Sequence, residues 1–241
     1  RTADLAVVWR FKTEWFAGAP HLRAVATPAA GRDYFEVMPT QGVELIYGSF
    51  HGQIMAETVV AGVLAMTRGI LPAATTFADL SWPREELSRI IRPLRGSHVI
   101  ILGFGHIGQH IGRLLKPLGV QITGVRRSMD AGVPAFFEKT DAVIALSELD
   151  AVLAGVDHVI LALPAAPETD LVFGRERLAL LRPHVTITNV GRGNAIDEVE
   201  LCAQLEDGAL AGAFLDVFQQ EPLAQDSPLR TCRNLWWLPH V

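Results

Sequence analysis

Gly103-Phe104-Gly105-His106-Ile107-Gly108 directly follows the apolar run Val99–Leu102 and opens a segment with helical periodicity. No other feature of the 241-residue chain constrains its fold as much. GxGxxG spacing alone carries little, because glycines gather in many turns; a strand before it and a helix after it make it a βα turn. Ile107, Ile111, Leu114, Leu115 and Leu118 share one helical face. Gly108 and Gly112, one turn apart, let that helix lie close on a sheet. Gly103 permits the tight turn, and Gly105 lets the backbone approach a pyrophosphate at the positive helix end. His106 and Ile107 complete the expected phosphate loop.

The rest of the chain repeats this alternation. Strands are expected at His98–Leu102, Gln121–Val125, Val159–Leu163, Val185–Val190, Gly212–Val217 and Leu235–Leu238. Helices are expected at Ile107–Leu118, Ser147–Leu153, Arg175–Leu181 and Glu198–Leu205, the last capped by Asp197 and stopped by Gly208. Strands joined through helices form parallel crossovers, so residues 96–241 read as a doubly wound α/β domain that binds a dinucleotide. Earlier, Leu5–Trp9 and Leu22–Thr27 read as strands, and Met55–Thr67 as a buried helix. Pro72, Pro83 and Pro93 punctuate residues 69–95, which read as a linker, with the domain boundary after Arg95. Residues 1–95 are then a second, smaller domain.

Composition removes several alternatives. A formal net charge of −5 without a Lys/Arg cluster argues against nucleic acid as a partner. Apolar stretches such as Val159–Ala166 fall far short of the roughly 18 residues of a membrane span. Cys202 and Cys232 are too few for a disulfide framework, which points to a reducing compartment, the cytoplasm. Neither cysteine has ligand-type neighbours in sequence, so no metal site is expected.

The strand Gln121–Val125 ends in Arg126-Arg127-Ser128, where an NAD-binding unit would place Asp or Glu on the ribose 2′-hydroxyl. Two guanidiniums and a hydroxyl suit a 2′-phosphate, since Arg forms charge-assisted, bidentate bonds to phosphate. The expectation is NADP(H) in preference to NAD(H). Solvated loop arginines are the competing reading.

Three further groups stand at carboxyl ends of expected strands, where open α/β sheets bind ligands. Val185–Val190 runs into Gly191-Arg192-Gly193, whose glycines are expected to free the backbone and aim Arg192. Gly212–Val217 carries Asp216 and leads to Glu221-Pro222; Leu235–Leu238 leads to Pro239-His240. Arg, Glu and His on neighbouring strand ends suit chemistry on a 2-keto or 2-hydroxy acid.

Asn189 to Asp197 (NVGRGNAID), Ala211 to Phe218 (AGAFLDVF), Glu221-Pro222 and Pro239-His240, following GxGxxG in this order, resemble the D-isomer-specific 2-hydroxyacid dehydrogenase family, glyoxylate/hydroxypyruvate reductases in particular. Ala56-Glu57-Thr58 and Thr67-Arg68-Gly69 resemble its pattern before the linker. The resemblance implies that Arg192 binds the substrate carboxylate and that His240 is the acid–base. It implies that Glu221 holds the His240 tautomer and that Asp216 holds the nicotinamide carboxamide. Leu163, Pro164 and Val190 would line the cofactor, and backbone N–H groups at Ala30 and Gly31 would meet the substrate carboxylate. Glu221 instead of Gln argues against the formate-dehydrogenase branch. Leu238, where the family usually has Thr, and the loop Ala165–Thr169 depart from the pattern. The resemblance further implies a flavodoxin-like substrate domain, here lacking both ends, and a homodimer through residues 69–95. A nucleotide-sensing, corepressor-like module on the same fold is the rival reading.

Overall fold

The computed structural model describes residues 3–28, 42–48, 50–129 and 132–241. Ala30 and Gly31 lie outside these residues. The chain divides into two compact units, Arg1–Ile54 and Met55–Val241.

In the first unit β1 (Leu5–Val7), β2 (Ala24–Thr27) and β3 (Glu44–Tyr47) form a parallel sheet in that order. A 3-10 turn at Thr13–Gly18 supplies Phe16, which packs with Leu22 and Val25 as a small core.

The second unit is built on seven parallel strands: β4 (His98–Leu102), β5 (Gln121–Val125), β6 (Ala142–Ile144), β7 (His158–Leu161), β8 (Thr186–Asn189), β9 (Gly212–Leu215) and β10 (Leu235–Trp237). Their spatial order is β10-β9-β8-β7-β4-β5-β6. The order reverses between β4 and β7, which opens a crevice beyond their carboxyl ends. Helices α1 (His51–Thr67), α2 (Ile70–Ala74), α3 (Arg84–Ile90), α4 (His106–Leu115), α5 (Asp150–Leu153), α6 (Arg175–Leu178) and α7 (Glu198–Glu206) complete the chain.

Side chains alternate faces along a strand, and here both faces are covered. Ile100, Leu102, Val159, Leu161 and Ile187 enter one core with Leu178, Leu201 and Leu205. Val99, Ile101, Ile122 and Ile160 enter the other, against Ile111 and Leu115 of α4. Ala56, Val59 and Val63 of α1 are buried in that second core. This is why the compact units part at Ile54/Met55 and not at Arg95: an apolar helix takes its fold from the sheet it covers, whatever prolines follow it.

Cys202 on α7 and Cys232 before β10 are joined as a disulfide with Cα atoms 5.9 Å apart. This corrects the expectation drawn from cysteine number. Two cysteines 30 residues apart meet because α7, β9 and β10 are consecutive and adjacent, which cysteine counting does not register. Among the described residues, no helix is long and apolar enough to cross a membrane.

Candidate active site

The phosphate loop joins β4 to α4 as expected. Gly103 has φ +84°, and a Cβ there would run into the backbone of Ala162, so only glycine fits the turn. Gly105 is the N-cap of α4 and no side chain caps the helix. A Cβ on Gly105 would meet nothing within 4 Å. The first N–H groups of α4 therefore open onto space, the setting that holds a phosphate. Gly108 is buried and Ile107 half-buried, while His106 is exposed beside His110, with ring centroids 4.7 Å apart. Burial first, then the neighbouring His106 and Arg113, lower the pKa of His110.

Arg126, Arg127 and Ser128 leave the end of β5 together. Arg126 Nη2 donates to the carbonyl of Gly132 at 2.5 Å, while its Nε is buried without a partner. Arg127 and Ser128 are exposed.

At the end of β8, Gly191 and Gly193 have a role other than the one expected. Arg192 is fully extended (φ −143°, ψ 149°) and needs no backbone freedom. A Cβ on Gly191 would strike the backbone of Leu163, and one on Gly193 that of Phe218. The glycines bring three loops into contact, and Arg192 is held half-buried where they meet. Its Nη1 donates to the Gly191 carbonyl at 2.7 Å. Asn189, fully buried, accepts from Gly191 N–H and donates to the Arg192 carbonyl, both at 3.0 Å. Val190 is buried beside it, and at the end of β7 Leu163 is half-buried and Pro164 exposed.

His240 and Glu221 are directly paired: imidazole Nδ1 lies 2.6 Å from Glu221 Oε2. An ionised carboxylate only accepts, so the pair fixes the proton on Nδ1. The other Glu221 oxygen accepts from Phe218 N–H at 3.0 Å. His240 has φ +58°, the left-handed region that few non-glycine residues occupy. Asp216 helps to hold that turn: its Oδ1 accepts from Val241 N–H at 3.1 Å. Asp216 Oδ2 is buried and has no hydrogen-bond partner. Burial pushes the Asp216 carboxyl above its ordinary pKa; the Val241 N–H pulls it back, as does His240, and the Glu221 charge adds to the rise.

Sequence reasoning missed the supporting residues. Asn189 shapes the Arg192 loop, and a buried Asn closing a β-branched strand before Gly was the available signal. Glu198 accepts from Gln219 N–H at 2.7 Å and so anchors the segment that carries Glu221; burial raises its pKa. Thr169 closes the loop after Pro164, donating to the Pro164 carbonyl at 2.9 Å.

Of the described residues' buried side-chain polar atoms, four have no partner: Arg126 Nε, Thr188 Oγ1, Asn194 Oδ1 and Asp216 Oδ2. All four lie in the carboxyl half of a strand or in the loop after it. Unsatisfied buried groups are costly, and their gathering along one edge, with the open end of α4, fits a dinucleotide. Gly103, Gly105 and Gly108 would hold its pyrophosphate, Arg126 its adenosine end and Asp216 its carboxamide; when bound, such a cofactor supplies or accepts hydride.

A parallel doubly wound sheet with Arg, Asp and a hydrogen-bonded Glu–His pair on adjacent strand ends defines a dinucleotide-dependent oxidoreductase. The family described as D-isomer specific 2-hydroxyacid dehydrogenase, NAD binding domain, matches residues 60–241. The chain belongs to that family. It is 32% identical over 234 residues to glyoxylate/hydroxypyruvate reductase B of Yersinia pestis (strain Pestoides F), covering 92% of this chain and 68% of the relative. Among solved structures, a D-isomer specific 2-hydroxyacid dehydrogenase from Xanthobacter autotrophicus Py2, in complex with NADPH and MES, superposes with TM-score 0.80 at 31% identity. It spans 99% of this chain and 74% of that one. An NADPH-dependent glyoxylate/hydroxypyruvate reductase from Sinorhizobium meliloti, in complex with NADP and sulfate, gives 0.78 at 27% identity, over 98% and 74%.

Proposed function

We propose that the chain is an NADP(H)-preferring reductase of small 2-keto acids of the glyoxylate and hydroxypyruvate type. The observation that carries this reading is the 2.6 Å His240–Glu221 pair, which joins the loop after β10 to the loop after β9 that also carries Asp216. Arg192 binds the substrate carboxylate and polarises the adjacent carbonyl by its charge. With Nδ1 held by Glu221, His240 presents Nε2 as the atom that gives a proton to the carbonyl oxygen during reduction, and takes it back in the reverse direction. Arg126, Arg127 and Ser128, without a carboxylate at the end of β5, favour the 2′-phosphate. Residues Ala30 and Gly31, outside the described residues, are assigned to the second side of the substrate carboxylate. The names of the relatives support the substrate class, and the cofactors named with the solved structures support NADP(H).

We assign the first unit to substrate binding and the cytoplasm as the place of work. The segment 69–95 is assigned to a homodimer contact, which its exposed apolar side chains Ile70, Leu80, Trp82 and Ile90 support; a monomeric mass by light scattering would refute it. The reading as a whole is tested by following NADPH and NADH oxidation with a panel of 2-keto acids. Turnover of glyoxylate or hydroxypyruvate with lower KM for NADPH is the expected result. No rate above background with any of them would leave a nucleotide-sensing module.

A further inference from the structure

Cys202, Glu206 and Cys232 place three ligand atoms within 4.8 Å of one another. Cys202 and Glu206 are four residues apart on α7, so their side chains leave the same face one turn apart. Cys232 comes from the loop between the 3-10 turn Pro228–Arg230 and β10. The N–H of Arg233 donates to Glu206 Oε1 at 2.6 Å, which fixes the carboxylate beside the cysteines; the carboxylate has no other hydrogen bond or ion pair among the described residues. Cys232 is buried, Cys202 half-buried and Glu206 exposed, so the cluster is firm below and open to water above.

We propose that, once the Cys202–Cys232 disulfide is reduced, these two thiolates and Glu206 bind one zinc-class divalent cation. Two thiolates select zinc over magnesium or calcium. Three protein ligands, with water in the fourth position, satisfy a tetrahedral ion. The two states exclude each other. Cleaving the S–S bond gives two thiols: two thiol molecules supply the two electrons and two protons and become a disulfide, or a phosphine supplies the electrons and water the protons, the water oxygen ending as phosphine oxide. The cation then displaces up to two thiol protons into solvent. In the cytoplasm assigned above, thiols are kept reduced, and the cation ties α7 to the entry of β10 where the disulfide no longer does. The inference rests on that assignment only for its physiological setting; the site itself rests on the three side chains.

The test uses the full chain, reduced with a phosphine, freed of reductant without oxygen and titrated with Co2+. One equivalent should produce an intense thiolate-to-cobalt charge-transfer band with tetrahedral d–d bands, and Zn2+ should erase both. The disulfide form should give neither. Cys202→Ser and Cys232→Ser, each verified as folded by circular dichroism, should lose the two-thiolate spectrum. Glu206→Gln should keep the charge-transfer band and bind about tenfold or more weakly. A reduced chain with two titratable thiols and no charge-transfer band would overturn the proposal. So would a band that survives in both Cys→Ser variants. Because the readout is spectral, a negative result leaves the reductase reading standing, and absence of turnover leaves the metal site standing.

Discussion

The two ends of the seven-stranded sheet are built on opposite terms. At the amino ends, polar side chains close on one another. Asp157 accepts from the N–H of His98 at 2.7 Å and contacts His184 Nε2 at 2.9 Å. His98 Nε2 lies 2.8 Å from Thr123 Oγ1, and buried His158 Nδ1 lies 2.7 Å from Thr186 Oγ1. A cavity of about 520 Å3 lies there, lined by Arg92, Asp157, His184 and Arg233 among others. The residues proposed for catalysis are at the other edge. At the carboxyl ends, buried atoms lack partners, His240 is held at positive φ, and the N-terminus of α4 is uncapped. Stability is stored where polar groups satisfy each other. Ligands are held where the fold leaves groups unsatisfied or strained.

Substitutions at each end separate the two kinds of role. The largest expected effect is at the carboxyl end: His240→Ala should lower kcat by about 10²–10⁴-fold, the contribution of a positioned acid–base, measured under saturating NADPH and glyoxylate. Next comes an amino-end effect on stability without one on catalysis. Burial lowers the His158 pKa to about 4, outweighing the opposing pull of Asp157, with nearby His184 adding to the fall, against about 6.5 unfolded. As pH falls, the unfolded chain takes the proton first, so stability is lost between about pH 6.5 and pH 4, by about 3 kcal/mol in all. Urea unfolding across that interval should show His158→Gln losing about 3 kcal/mol less than the parent chain; an equal loss would reject the assignment. Arg126→Asp should shift the ratio of kcat/KM for NADPH and NADH toward NADH by about tenfold or more, the cost of a lost charged hydrogen bond. Smallest is Asp216→Asn, which should stabilise the ligand-free chain by about 1 kcal/mol, because it removes a buried charge that burial disfavours. Thermal unfolding without cofactor would measure it.

Much of this contrast was legible in the sequence. Val99–Leu102 followed by GxGxxG placed β4 and β5 within a residue and the start of α4 likewise, because local periodicity and glycine spacing carry the βα turn; α4 ends at Leu115, three residues before the expected Leu118, where a 3-10 turn takes over. Asp197 capping α7 was equally readable: its Oδ1 accepts from Glu200 N–H at 3.0 Å. Short edge elements were not. Glu44–Tyr47 and Ala142–Ile144 are three- or four-residue strands with partly exposed side chains, and their pairing, not their composition, makes them strands. Contacts distant in sequence were also hidden. The disulfide, the closeness of Glu206 to it, the burial of α1 with the second unit and the loop-packing role of Gly191 and Gly193 all depend on which loops the sheet order makes neighbours. His240 and Glu221 were nominated by position and resemblance; their direct bond needed the fold.

The central claim, that unsatisfied atoms along the carboxyl edge await the dinucleotide, is tested most directly by calorimetric NADPH affinity in two variants. Asp216→Asn should raise Kd about tenfold or more, since it removes a charged acceptor. His158→Gln, equally buried at the other end, should leave Kd within about twofold, having no ligand to lose. Equal affinities in both variants, or a larger loss at His158, would contradict the account.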